Sequence, residues 1–248
     1  METFNFKHIN LKKVKNMVDV GCGNGRHLKS LGFKLKEAKI IGIDQSFDEI
    51  SSLKREFDNH ICKNQNNYTF LNEDVRHIAL PNNSQDLVIC SEVLEHVPNF
   101  EKVLKECHRI LKPGAVLLIS VPTYFPESLC WKYSKKYMQT PGGHIRIFKN
   151  SFLLEEFNKL KLTLFKHHRE HAMHSLYWIF KARNNMEDSD FLRSFHELLV
   201  KQMFGQAKFS YALEKILNPF FGKSAVSYTH LRAHETEADL VCRLLLEK

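Results

Sequence analysis

Asp19 stands in an apolar run, Met17-Val18-Asp19-Val20, that opens directly into Gly21-Cys22-Gly23-Asn24-Gly25. Glycines at alternate positions let the backbone turn sharply and let a ligand approach without meeting a Cβ. The segment that follows, Arg26-His27-Leu28, reads as the start of a helix. Its first N–H groups have no intrahelical partners and suit polar or anionic ligand groups. Asp44 ends a second apolar run about twenty residues on, where a carboxylate can accept hydrogen bonds from both hydroxyls of a ribose. Two histidines are candidate proton acceptors. His96 follows an apolar run in Ser91-Glu92-Val93-Leu94-Glu95-His96-Val97, and His144 lies in Gly142-Gly143-His144-Ile145-Arg146. Imidazole takes up a proton near neutral pH. Either histidine could equally serve only to anchor a loop.

These groups need a frame. Short apolar runs at 17–20, 38–44, 68–71, 85–90 and 115–122 alternate with helical patterns at 25–33, 46–59 and 100–111. Such alternation predicts an α/β fold with a parallel sheet buried on both faces. Ser46 and Glu49 have capping-box spacing at the start of the second helix. The third helix is expected to stop at Lys112-Pro113-Gly114. A further helix over 151–160 and a sixth strand over 160–165 follow. The apolar stretch 177–180 reads as a seventh strand or a buried helix, closing the core near residue 183.

The string VDVGCGNG resembles motif I of the class I S-adenosylmethionine (SAM)-dependent methyltransferases, of the small-molecule type that includes the ubiquinone-biosynthesis enzymes. The strings DLVICSEVLEHV and LKPGAVLLISVP resemble the later motifs of that family, and five segments match in order across residues 17–122. The resemblance implies a Rossmann-like, seven-stranded, mostly parallel sheet of order 3-2-1-4-5-7-6 with helices on both faces. It implies SAM as cofactor. Asp19, Gly21, Cys22, Gly23 and Gly25 would lie under its methionine end, Asp44 and Gln45 at the ribose, Asp74 and Val75 at the adenine, and Cys90, Ser91 and Glu92 along the methionine. The acceptor would be a small molecule, apolar or lipid-linked ones included. His144 is the first candidate for the base and His96 the second. The family's motifs need no metal and none is expected.

Two other readings stay open: an RNA methyltransferase, and a non-catalytic SAM-binding regulatory or scaffold module. The chain has 248 residues, a net charge of +8 and a pI near 9.1. That balance permits an anionic partner, nucleic acid among them. The lysines are spread, however, without a run of five or more basic residues, so a solvated basic surface is favoured. The Asn/Asp-Pro-Pro-Tyr/Phe string of amino-methylating nucleic-acid enzymes is replaced by SEVLEHVP. No apolar segment reaches the ~20 residues of a membrane span, and the N-terminus lacks a secretory pattern. Six cysteines without CxxC pairs fit a reducing cytoplasm. Oligomeric state is not legible.

The remainder is less stereotyped. Residues 123–139, rich in aromatics and lysines, are expected to form a lid or a wall of the acceptor pocket. His167, His171 and His174 would share one face if 166–174 were helical, a spacing that could bind a metal. Residues 190–217 read as two amphipathic helices, as a cap or with weak peripheral membrane contact. Residues 1–183 are accordingly expected to form the methyltransferase domain and 184–226 a helical extension. Residues 227–248 resemble a translated sequencing adapter and are set apart as a non-native tail.

Overall fold

The computed structural model describes residues 3–59, 65–203 and 205–231. Among them, seven strands form one sheet in the order β3-β2-β1-β4-β5-β7-β6. These are β1 Asn16–Val20, β2 Lys39–Asp44, β3 Asn67–Asn72, β4 Gln85–Ser91, β5 Leu111–Pro122, β6 Leu162–Glu170 and β7 Ser224–Leu231. The first five run parallel, and β7 lies antiparallel between β5 and β6. This is the expected order.

The helices are α1 Arg26–Gly32, α2 Phe47–Asn59, α3 Phe100–Ile110, α4 Tyr124–Tyr133, α5 Lys135–Met138, α6 Asn150–Lys159, α7 Ala172–Arg183, α8 Asp190–Met203 and α9 Lys208–Phe221. Central strands are apolar on both sides because both faces are covered. On one face Val18, Val20 and Val88 meet Val103, Leu104 and Cys107 of α3 and Phe157 of α6. On the other, Met17, Ile40 and Ile89 meet Leu28 and Leu31 of α1, Ile50 and Leu53 of α2, and Phe4 and Phe6 of the N-terminal segment. Ser46 caps α2 as its spacing predicts, with its Oγ accepting from Glu49 N–H at 3.3 Å.

Three expectations change. Lys112-Pro113-Gly114 does not separate α3 from a later strand. Leu111 already leaves the helix in extended conformation and pairs with Gln85, so β5 begins there. The sixth strand runs to Glu170 rather than to 165, because β7 supplies it with partners from Leu162 to Glu170. His167 and His168 are therefore strand residues. His171 sits in the left-handed region as the N-cap of α7, and His174 is on α7 itself, so the three histidines do not share a helical face. The stretch 177–180 is helical, as part of α7.

The core does not close near 183. The seventh strand comes from 224–231, after α8 and α9, and Leu192 and Leu199 of α8 pack against Met173 and Tyr177 of α7. The stretch set apart from residue 227 begins inside β7. There Tyr228 is fully buried against Phe4 and its hydroxyl accepts from the Asn5 N–H. Neither 183 nor 226 is thus a break between separate folding units, while 232–248 lie outside the described residues.

Candidate functional site

The turn after β1 is tied to the end of β2: Gly21 N–H and Cys22 N–H both donate to the Ile43 carbonyl, at 2.8 and 2.9 Å. Gly21, Gly23 and Gly25 all have positive φ, +73°, +47° and +73°. They are glycine for different reasons. A Cβ at Gly21 would come within 2.4 Å of Val93 Cγ2, and one at Gly25 within 2.5 Å of Leu53 Cδ2. A Cβ at Gly23 would meet nothing within 4 Å, and Gly23 lines an open cleft. The Asp44 carboxylate is held at that cleft by two backbone donors, Gly23 N–H and Ser46 N–H, each at 2.9 Å. Each oxygen keeps a second lone pair.

The cleft has a volume of about 990 Å³. Gly21, Gly23, Asp44, Gln45 and Val75 line it from the first half of the sheet. Glu92, Val93, His96 and Val97, from the turn after β4, line it together with Trp131, Met138 and the loop from Gly142 to Ile145. Residues chosen from separate parts of the sequence thus meet around one space.

Other expected contacts are differently placed. Asp19 is buried beneath the turn and neither carboxylate oxygen has a hydrogen-bond partner. Burial raises its pKa to about 7, opposed by Arg26 and reinforced by Asp44. The Cys22 and Cys90 thiols point into the two cores, where burial and, for Cys90, the Cys107 thiol raise them, so a ligand could meet only their backbone. Ser91 Oγ is bonded to Ser120 Oγ at 2.8 Å. Asp74 is gripped side-on by Arg76, with Nε 2.9 and 3.0 Å from its two oxygens and Nη2 2.5 Å from one. That pairing lowers its pKa to about 2. Its neighbour Val75 lines the cleft. Arg76 carried no sequence signal, since an exposed arginine two residues beyond an aspartate is common.

The two histidines stand together, with ring centroids 5.0 Å apart. Backbone bonds join the segments that carry them. His96 Nδ1 is 3.2 Å from the Gly143 carbonyl, and Ile145 N–H donates to the Glu95 carbonyl at 3.0 Å. Arg146 adds three more, donating to the carbonyls of Leu94 (3.0 Å), Val97 and Pro98 (2.6 Å). Burial, and then the nearby His144, hold His96 below the ordinary imidazole value. His144 Nδ1 lies 2.6 Å from Glu127 Oε1, a buried carboxylate on α4 that the sequence reading missed.

Glu95, His96 and His144 each offer one ligand atom, all within 4.8 Å of one another, a spacing that could hold a divalent cation. Among the described residues the metal-capable cluster is therefore here and not among the histidines of 167–174. Glu95 is fully buried, and burial together with Glu92 pushes its carboxyl well above the usual range.

A model of the methyltransferase domain matches residues 18–119. Two ubiquinone biosynthesis O-methyltransferases are similar over part of their length. That of Coxiella burnetii (strain Dugway 5J108-111) is 33% identical over 108 residues, 44% of each chain. That of Dechloromonas aromatica (strain RCB) is 34% identical over 116 residues, 46% of this chain and 47% of the relative. The chain thus matches less than half the length of these relatives. Among solved structures, the YcgJ protein from Bacillus subtilis superposes with a TM-score of 0.61 at 16% identity, covering 92% of this chain and 96% of that one. A SAM-dependent methyltransferase from Aquifex aeolicus gives 0.52 at 19%, covering 66% and 80%. The cyclase SpnF also gives 0.61 at 16%, covering 92% and 79%, so the architecture by itself does not name a reaction. The matched motifs together with the strand order make residues 18–119 a methyltransferase domain of the class I SAM-dependent type.

Proposed function

We propose that this chain transfers the methyl group of SAM to a hydroxyl oxygen of a small-molecule acceptor, with His144 as the base. The observation that carries this reading is the single cleft shared by the Gly21–Gly23 turn, Asp44 and the paired imidazoles of His96 and His144. The residues fit the cofactor. Gly23 leaves room where a Cβ would otherwise stand, Asp44 presents open lone pairs to a ribose, and the unpartnered Asp19 carboxylate lies beneath the turn. Gly21, Gly23 and Asp19 would hold the methionine end, Asp44 and Gln45 the ribose, and Val75 the adenine, with Asp74 reaching it if Arg76 releases it.

Bound SAM supplies an activated methyl whose carbon–sulfur bond breaks, its electron pair returning to sulfur, as the acceptor oxygen bonds to carbon. The protein's task is alignment, exclusion of water and removal of the hydroxyl proton. His144 Nδ1 is engaged by Glu127, which leaves Nε2 to take that proton. His96, bonded to the Gly143 carbonyl, holds the loop that carries His144. Trp131, Val97 and Ile145 give the acceptor an apolar, partly aromatic wall. The O-methyltransferase names of the relatives favour oxygen over nitrogen or carbon.

The test is transfer of labelled methyl from SAM into a metabolite extract, with mass identification of the product, for the unmodified chain and for His144→Ala. Loss of product with SAM binding retained supports the base. Unchanged turnover removes it. Loss on chelation, restored by a divalent ion, would instead make His144 a metal ligand through the Glu95, His96 and His144 cluster.

A further inference from the structure

The aromatic stretch after β5 was expected to be a lid or a pocket wall. Its residues converge on one buried carboxylate. Glu127 lies on α4 with its side chain 6% exposed, and three side chains come within hydrogen-bond distance of it. Trp131 Nε1–H, one helical turn on, reaches Oε1 at 3.1 Å. Tyr137 O–H, from α5, reaches Oε2 at 3.1 Å. His144 Nδ1 reaches Oε1 at 2.6 Å. α5 is itself set by Ser134, whose Oγ accepts from Tyr137 N–H at 3.1 Å.

We infer that Glu127 is a positioning residue for His144, an inference that rests on the base reading above. The donor set carries it. Indole N–H only donates, and burial with Glu127 alongside raises the Tyr137 phenol, so it too stays a donor. Neither brings a charge. The group in the set that can gain a positive charge is the imidazole. A carboxylate bonded to one imidazole nitrogen fixes the tautomer, with the proton on Nδ1 and the lone pair of Nε2 directed away from Glu127. His144 lines the cleft beside His96, so that lone pair serves the cleft. When the acceptor hydroxyl gives its proton to Nε2, the same carboxylate lies against the imidazolium that results, and the proton later passes to water. Trp131 and Tyr137 hold the carboxylate in place so that it does not swing into the cleft. Trp131 thus serves two roles, with its ring on the cleft wall and its N–H on Glu127.

A loop anchor would need a hydrogen bond at this point but no particular tautomer. The discriminating measurement is therefore the tautomer, read from long-range ¹H–¹⁵N spectra of the full chain labelled on histidine nitrogen. The His144 signals would be assigned by their absence in His144→Gln. The spectra are expected to show Nδ1 protonated and Nε2 bare. Glu127→Gln, which retains an acceptor oxygen, is expected to keep that tautomer, and Glu127→Ala is expected to lose it. In the labelled-methyl assay on metabolite extract, Glu127→Ala should fall about 10²-fold and Glu127→Gln about tenfold. Calorimetric SAM affinity should stay within twofold in both.

An unchanged tautomer in Glu127→Ala overturns the inference. If that variant does not fold, wild-type turnover in Glu127→Gln overturns it. Should His144→Ala keep turnover, the base reading fails and this inference with it. Should His144→Ala lose turnover while both Glu127 variants keep it, the base stands and only the role of Glu127 falls.

Discussion

His96 and His144 stand side by side on the cleft, with their planes inclined at 65° and their centroids 5.0 Å apart. They differ in what holds them. His96 is hydrogen-bonded to a backbone carbonyl, with the buried Glu95 carboxyl 3.7 Å from its Nε2, whereas His144 is hydrogen-bonded to the buried Glu127 carboxylate. A directly hydrogen-bonded carboxylate orients a ring more firmly than a carbonyl, or than a carboxyl that burial pushes well above the usual range. Replacing His144 by Ala should therefore lower kcat/KM about 10²- to 10⁴-fold. Replacing His96 by Ala removes a loop bond of about 1 kcal/mol and a longer contact with Glu95, so the loss should stay within about tenfold and fall mainly on KM. Steady-state kinetics of the two variants, with labelled SAM and the acceptor found in extract, check this. Equal losses would show that the rings act as one unit.

The Arg146 guanidinium binds three carbonyls of the turn after β4 and lies over the Phe100 ring, 4.9 Å from its centroid. Lysine cannot reproduce that fork. Arg146→Lys should cost about 2 to 4 kcal/mol and lower Tm by roughly 4–12 °C. SAM affinity should be unaffected, since Arg146 does not line the cleft. Calorimetric melting with a binding titration reads both. A wild-type Tm would mean the turn is held without it.

The half of the molecule that carries the glycine turn was legible because its constraints are local. A strand must precede the turn, glycine must occupy Gly21 and Gly25 where side chains already crowd, and an acid must end β2. The second half was not. His167 and His168 entered a strand because β7 pairs with β6, and β7 comes from a segment some sixty residues later, most of which is set apart in the sequence by its resemblance to a translated adapter. Glu127 was missed for a related reason. Its three donors come from a helical neighbour, the next helix and a distant loop, and only the first has a fixed sequence spacing. The pairing of Asp74 with Arg76 shows a third limit, as a ligand-facing acid and a self-satisfied one have the same sequence.

Gly21 and Gly23 separate folding from binding. At Gly21 an added methyl would strike Val93 and force the packed turn apart, so Gly21→Ala should destabilise the chain by about 2 kcal/mol or more. At Gly23 the methyl has free space and the backbone cost is about 1 kcal/mol. It would, however, project where the ligand is proposed to lie. Gly23→Ala should therefore melt within a few degrees of the unmodified chain while binding SAM at least tenfold more weakly. Calorimetry on both variants tests this, and full SAM affinity in Gly23→Ala would move the ligand away from the turn.

Asp19 gives a prediction with a definite sign. Its folded pKa, about 7, lies above the ordinary aspartate value of about 4 because burial without a partner disfavours the charge. A raised folded pKa means that the folded chain binds the extra proton between those limits. The associated stability is present below about pH 4 and is lost as pH rises through about 7. Asp19→Asn keeps the shape and removes the titration. The stability of the unmodified chain relative to this variant should therefore fall by about 1.4 kcal/mol per pH unit from pH 4 to 7, on the order of 4 kcal/mol in all, and then level off. Taking the difference cancels the buried histidines, His27, His171 and His174, whose lowered values act in the opposite direction over part of the same range. Urea unfolding of both proteins at several pH values measures it, and parallel curves would show that Asp19 has a partner in solution. A ligand that brings positive charge beneath the glycine turn should restore the ionised form. Saturating SAM is then expected to flatten the difference between the two proteins from pH 4 to 7, which ties the buried carboxylate to the cofactor without any measurement of turnover.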